Sequence, residues 1–174
     1  MYLEGLGFRA IGHVLNVSHT AVYYGIKRAG QTVELPTEEK NVEVVKVDEL
    51  HTYVNKKSYR WIGIAVNRVG KRFLSFVCGD QQAATGLRLW EKLKGLSVGT
   101  FATDHWQSYE EFIPPEQHCQ SKSETCMVES YNSRIRHYLA RFKRKTKCYS
   151  KSDEMIVISL NLLMERLNNK TIPN

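Results

Sequence analysis

Two kinds of hydrophobic periodicity divide the chain. Over the first thirty residues apolar positions recur at helical spacing, and Phe8 to Ala29 (FRAIGHVLNVSHTAVYYGIKRA) predicts two short helices joined by a tight turn. Ile11, Val14 and Leu15 are expected to face inward from the first helix, with Asn16 taking the turn, where a short polar side chain tolerates positive φ. Val17 is expected to plug that turn, and Ser18 to cap a second helix whose Val22 and Ile26 face back to the first. The pattern breaks at Gln31 to Asn41 (QTVELPTEEKN), where Pro36 interrupts regular structure and Glu34, Glu38 and Glu39 favour exposure. The expected organisation is a helix-turn-helix module over 1–31, a linker over 32–41 and a larger domain over 42–174.

Beyond the linker the period changes to that of strands. Val42 to Leu50, Arg60 to Asn67 and Arg72 to Cys78 are rich in β-branched and aromatic residues and closely spaced, which predicts an antiparallel meander. Gln81 to Leu93 predicts a helix, Gly99 to Thr103 a fourth strand ending at Asp104, and Trp106 to Phe112 a short helix closed by Pro114 and Pro115. A fifth strand over His118 to Ser121, a long helix over Thr125 to Phe142 and an apolar helix over Asp153 to Leu167 complete the reading. The order βββαβ followed by helices gives the fold class: α/β, a mixed sheet with helices packed on it.

With 174 residues, 42% apolar and 25% charged, the chain has the balance of a globular protein, and its length excludes a large multidomain enzyme. No apolar run has the length needed to cross a bilayer and no signal peptide opens the chain, so a cytoplasmic location is expected, with no membrane partner. Cys78, Cys119, Cys126 and Cys148 have neither zinc-ligand spacing nor a disulfide framework and are expected as reduced thiols, with no zinc.

The net charge of +7 matters through its placement. Residues 1–129 carry fifteen basic and fifteen acidic side chains, whereas residues 130–174 carry ten and three. Arg134 to Lys151 alone contains eight Lys or Arg and no acid. A concentrated field of one sign attracts a polyanion, and each phosphate neutralised releases condensed counterions, so nucleic acid is the expected partner; a solvated basic helix face is the bland alternative. Within the tract, Lys143, Arg144, Lys145 and Lys147 are expected to hold DNA backbone rather than bases. In the helical module His19, Thr20, Tyr23, Tyr24 and Lys27 are candidates for an outer face against base edges and phosphates, the alternative being a plain packing hairpin.

Three acids stand out by setting. Asp48 lies at the end of an apolar strand, Asp104 follows another, and Glu129 sits in the first turns of the long helix at the edge of an apolar stripe formed by Val128, Ile135 and Leu139. Carboxylates from two strands and a helix form an all-oxygen cage for hard cations such as Mg²⁺, and two such ions support in-line displacement at phosphorus. Spacing alone does not separate this reading from acids that merely end strands or cap helices. Arg136, seven residues past Glu129 and so on the same helix face, adds the cation that a phosphodiester in the site would require. Asn132, at i+3 from Glu129, could hydrogen-bond the glutamate or DNA, or serve as a surface cap. Trp106 and Tyr109 are candidates for stacking on an unpaired base, against the commoner reading that they pack the core. His118 and His137 are read as structural groups or phosphate contacts.

The segments VDEL at 47–50, TDHWQSY at 103–109 and ETCMVESYNSRIRHYLARFKRKTKCYSKS at 124–152 resemble the transposases of the IS1 insertion-sequence family, of the DDE type. The resemblance covers nearly the whole chain and implies an RNase H-like fold. It implies Asp48, Asp104 and Glu129 as the catalytic, metal-binding triad, with Arg136 as the basic residue seven positions past the glutamate. It further implies Mg²⁺ or Mn²⁺, two ions, cleavage at transposon ends, and transfer of the freed 3′ hydroxyls into target DNA. The partners implied are end and target DNA and further copies of the chain, in a bacterial, nucleoid-associated setting. Relatives usually carry a cysteine-rich zinc segment ahead of the helix-turn-helix, whereas Met1 here stands almost inside that motif. A truncated DNA-binding remnant or inhibitor is therefore the alternative expectation, and a cellular RNase H-like nuclease a third.

Overall fold

The computed structural model describes residues 1–35, 42–55, 57–103, 113–120, 122–143, 146 and 148–170. Five strands, β1 (Val42–Val54), β2 (Ser58–Asn67), β3 (Arg72–Gly79), β4 (Val98–Thr103) and β5 (His118–Gln120), form one sheet in the order β3-β2-β1-β4-β5. The first three are antiparallel, while β4 runs parallel to β1 and β5 parallel to β4. That order and those directions are the RNase H-like sheet.

Helices α1 (Phe8–Leu15), α2 (His19–Gln31), α3 (Gln82–Leu93), α4 (Lys122–Tyr138) and α5 (Asp153–Lys170) complete the molecule. Alternation along each strand sends side chains to two cores. On one face Leu50, Ile62, Ile64 and Phe73 pack with Ile135 of α4 and Ile156, Leu160 and Leu163 of α5. On the other, Val45, Val47, Ala65 and Leu74 pack with Leu89 and Leu93 of α3. Burial on both faces explains why these strands read as near-continuous apolar runs. The β3 edge is closed by Asn168 of α5, whose side-chain oxygen accepts the Phe73 N–H at 2.8 Å and whose amide donates to the Phe73 carbonyl at 3.0 Å. The Asn168 amide thus occupies part of the backbone edge that a further strand would pair with.

The helix pair forms as expected at its turn. Asn16 adopts φ 52°, and the Ser18 hydroxyl accepts the Ala21 N–H at 3.1 Å as N-cap of α2. Ile11 and Val22 are buried between the helices. Val14, Leu15 and Val17, expected inside, are instead 66%, 51% and 47% exposed. For Val17 the reason lies at Gly12, where an added Cβ would stand 2.7 Å from the Val17 carbonyl oxygen. The turn is closed by that backbone approach, with the Val17 N–H donating to the Gly12 carbonyl at 2.9 Å, and the Val17 side chain is left outside.

The pair also docks on α5 and the segment before it. Gly30 of α2 meets Ile158 of α5 so closely that a Cβ there would lie 2.6 Å from Ile158 Cγ2. The Asn161 amide donates to the Gly30 carbonyl, Tyr2 hydrogen-bonds Ser159 at 2.7 Å, and the Arg141 guanidinium lies over the rings of Tyr2 and Phe8.

Candidate active site

β1 does not end beside Asp48, as its apolar run suggested, but continues to Val54 by pairing with β2 out to Val54 with Ser58. What ends there is the other neighbour. Parallel pairing with β4 stops at Lys46 with Ala102, so Asp48 lies just past the last paired residues. Its side chain shares a strand face with Leu50, the face covered by α4 and α5.

Across 84 positions of chain, α4 reaches this carboxylate directly: Asn132 Nδ2 donates to Asp48 Oδ2 at 2.6 Å. Asp48 Oδ1 accepts the Glu49 backbone N–H at 2.8 Å. Asn132 is buried, and its own side-chain oxygen is among the buried polar atoms with no hydrogen-bond partner among the described residues. Of the three roles open to Asn132 from the sequence, the contact found is with none of the named partners but with Asp48. One helical turn before it, Glu129 is exposed; one turn after it, Arg136 is half-buried with Nε enclosed. Glu129, Asn132 and Arg136 therefore lie along one stripe of α4, and the middle member is anchored on Asp48.

The carboxylate of Asp48, held by Asn132 and the Glu49 N–H, and the exposed carboxylate of Glu129 on the neighbouring helix are hard oxygen donors of the kind that a divalent cation takes. Among the described residues no three His, Cys, Asp or Glu side chains form a metal cluster. Asp104, Trp106 and Tyr109 lie outside the described residues, as do Arg144, Lys145 and Lys147.

The remaining candidates are placed as follows. Thr103, the last residue of β4, is buried and its hydroxyl hydrogen-bonds His118 Nε2 at 2.7 Å, which ties β5 to the end of β4 and gives His118 a structural role. His137 is exposed and packs edge-on against Tyr138, and Lys143 is exposed. On α2, His19, Thr20 and Tyr24 are exposed, while Tyr23 is half-buried against Phe8 with ring centroids 5.7 Å apart. Lys27, expected on the outer face, is turned to α5: its Nζ donates to Glu154 Oε2 at 2.8 Å, which also raises its pKa. The sequence reading missed Arg141 as a connector. Its carbonyl accepts the Thr52 hydroxyl and its guanidinium covers two rings of the N-terminal segment, and its place in a basic tract masked that use.

A groove of about 620 Å³ beside β3 lies away from this site, against Phe76, Cys78 and Val157. Burial pushes the Cys78 thiol up to about 11, so it is neutral and no nucleophile at ordinary pH.

Residues 42–168 match the model of the family described as IS1 transposase. The chain is 37% identical over 111 residues to the insertion element IS1 4 protein InsB of Escherichia coli (strain K12), covering 63% of this chain and 66% of that relative. It is 35% identical over 111 residues to the insertion element IS1 protein InsB of Shigella flexneri, covering 63% of this chain and 85% of that one. The chain thus spans just under two thirds of the Escherichia coli relative. Among solved structures it is similar to the HTLV-2 integrase catalytic core domain in complex with magnesium, with a TM-score of 0.41, 17% identity and coverage of 76% of this chain and 84% of that one. It is also similar to a chain of the simian T-cell lymphotropic virus intasome in complex with PP2A regulatory subunit B56 gamma, with a TM-score of 0.43, 10% identity and coverage of 73% and 50%. The fold rests on the strand order and directions, not on these two likenesses.

Proposed function

The chain belongs to the IS1 transposase family, and from that premise we propose that it is a DDE-type DNA transposase whose site is built on Asp48, Asp104 and Glu129. The observation that carries the reading is the Asn132 to Asp48 hydrogen bond, because it brings the helix bearing Glu129 onto the strand bearing Asp48. Asp104 directly follows in sequence the last residue of β4, the parallel neighbour of β1, which supports it as the third member.

Bound Mg²⁺ or Mn²⁺, two ions in this reading, would supply activation of the attacking hydroxyl and neutralisation of the leaving oxygen. The chain's own residues do the rest. Asn132 fixes the orientation of the Asp48 carboxylate, and Glu129 offers its carboxylate from the solvent side. Arg136, one turn beyond Asn132, supplies positive charge for a phosphodiester oxygen. His19, Thr20 and Tyr24 at the exposed start of α2 are the proposed DNA-reading face, joined by Tyr23 at its edge; Lys27 is removed from it by its ion pair. Lys143, with Arg144, Lys145 and Lys147, is proposed to hold backbone phosphates of end and target DNA, on which further copies of the chain would assemble. Among the described residues no helix is long and apolar enough to cross a membrane.

The deciding experiment is Asp48→Asn in a cleavage assay on an end-containing duplex with Mg²⁺ or Mn²⁺. Strand cleavage is expected to fall by at least about a thousand-fold, as for a member of a group that acts as a unit, with DNA affinity nearly unchanged. Undiminished cleavage refutes the assignment. Wild-type chain that binds the duplex but never nicks it would instead mark a DNA-binding accessory.

A further inference from the structure

The hairpin formed by β1 and β2 carries a run of rings that the two cores and the candidate site leave unused. Tyr53 faces Tyr59 across the strands, and His51 faces Trp61. All four stand on the sheet face of Gly63 and Ala65. Gly63 lies under Leu89 of α3, but the ring pairs beyond it are exposed or half-buried. Ring centroids are 6.2 Å apart for His51 and Trp61, 5.3 Å for His51 and Tyr59, and 5.1 Å for Tyr53 and Tyr59.

Cross-strand aromatic pairs stabilise a hairpin, and that would account for these four. It does not account for the fifth ring, Tyr149, which comes from far along the chain and stands 5.8 Å from Tyr53. Tyr149 is held there by backbone pairing: Ser150 bridges Val54 in parallel, and its carbonyl accepts the Asn55 N–H at 3.0 Å. It also belongs to the acid-free stretch between Arg134 and Lys151. The ladder therefore runs from Trp61 into the most basic part of the chain. Flat rings beside a field of cations are the combination that grips a single strand, bases on the rings and phosphates on the cations. A duplex keeps its base faces inside its own stack and cannot use the rings. His51 follows Asp48 by three positions, an odd offset that puts it on the opposite sheet face, so the ladder is a surface separate from the candidate site.

We propose that His51, Tyr53, Tyr59, Trp61 and Tyr149 form a stacking platform for unpaired bases of a DNA single strand. That the strand is DNA rests on the transposase reading. The test uses the full chain, an oligothymidylate of about a dozen nucleotides and a blunt duplex of equal length, with affinities read by fluorescence anisotropy. The double variant Tyr53→Leu/Tyr59→Leu is expected to lose at least roughly ten-fold in oligothymidylate affinity and less than about two-fold on duplex, while Tyr53→Phe/Tyr59→Phe keeps both.

Unchanged oligothymidylate affinity in the Leu variant, or an equal loss on both probes, overturns the platform. So does a change in mass by light scattering with oligothymidylate affinity intact, which would make the ladder an interface between copies. If circular dichroism shows the Leu variant unfolded, photocrosslinking of wild-type chain to 5-iodouracil-substituted oligothymidylate decides. Crosslinks within 51–61 or at Tyr149 support the platform, and crosslinks confined elsewhere overturn it. Ladder-dependent strand binding in a chain that never cleaves removes the transposase reading and leaves the platform. Cleavage with ladder-independent strand binding does the reverse.

Discussion

The sheet and the N-terminal helix pair reach their structures by different routes. Each central strand is covered on both faces, by α3 on one side and α4 and α5 on the other, so the sheet has two cores of its own. The helix pair contributes Ile11 and Val22 to burial and leaves Val14, Leu15 and Val17 outside. Helices of eight and thirteen residues are marginal alone. The pair is therefore stabilised by docking, through Gly30 against Ile158, Lys27 with Glu154 and Arg141 over Tyr2 and Phe8. The proposed DNA-reading face on α2 takes its orientation relative to Asp48 from this docking on α5.

The largest effect that tests this contrast is in the sheet. Ile64 is wholly buried on β2, within the core that α4 and α5 cover. Ile64→Ala is expected to cost about 2–5 kcal/mol, read as a lower urea midpoint, with the helix pair lost in the same transition. A helix pair that outlasts the sheet would break the comparison.

Next is Gly30→Ala. The new methyl would meet Ile158 Cγ2 at 2.6 Å, and such overpacking costs about 1–3 kcal/mol. Here the loss is expected at the interface: faster amide exchange in α1 and α2, with β1 and β2 still protected. Ile158→Ala in the same chain should restore part of that protection. Equal deprotection of sheet and helices would show that the two regions open as one unit.

The same contrast explains what was legible beforehand. The described strands and helices other than β1 and α4 fall close to their expected bounds because apolar runs buried on two faces leave little ambiguity; the long helix expected over Thr125 to Phe142 runs instead from Lys122 to Tyr138, and the short helix expected over Trp106 to Phe112 lies outside the described residues. The end of β1 was misplaced because His51 to Val54 reads as mixed polar and aromatic, and only pairing with β2 makes it strand. In α1 the helical period holds but Val14 and Leu15 face outward, and Val17 is left outside by the close backbone approach at Gly12, which leaves no signature of spacing. Asp48 and Glu129 were legible as acids on a strand and a helix. The Asn132 link between those elements was not, since no local pattern reports a contact made across 84 positions.

A smaller effect distinguishes the sheet by pH. The Cys78 thiol on β3 is raised from an ordinary 9.0 to about 11, chiefly by burial. The folded chain keeps a proton there that the unfolded chain loses, so this contribution to stability is full below pH 9 and is lost as pH rises through about 11. Cys78→Ala is expected to flatten the decline in urea midpoint over that range, whereas the same change at exposed Cys148 leaves its slope as it was.

The smallest effect belongs to the exposed residues of the helix pair. Val14 is 66% exposed, so Val14→Ser removes little buried surface and is expected to change stability by no more than about 0.5 kcal/mol. Ile11, one turn earlier on α1, is 4% exposed, and Ile11→Ser should release α1 and speed its amide exchange well beyond any change in β2. Measured side by side, the two substitutions show which face of α1 is turned inward. Equal losses at Val14 and Ile11 would mean that Val14 is covered in solution and that the helix pair has a second packing face.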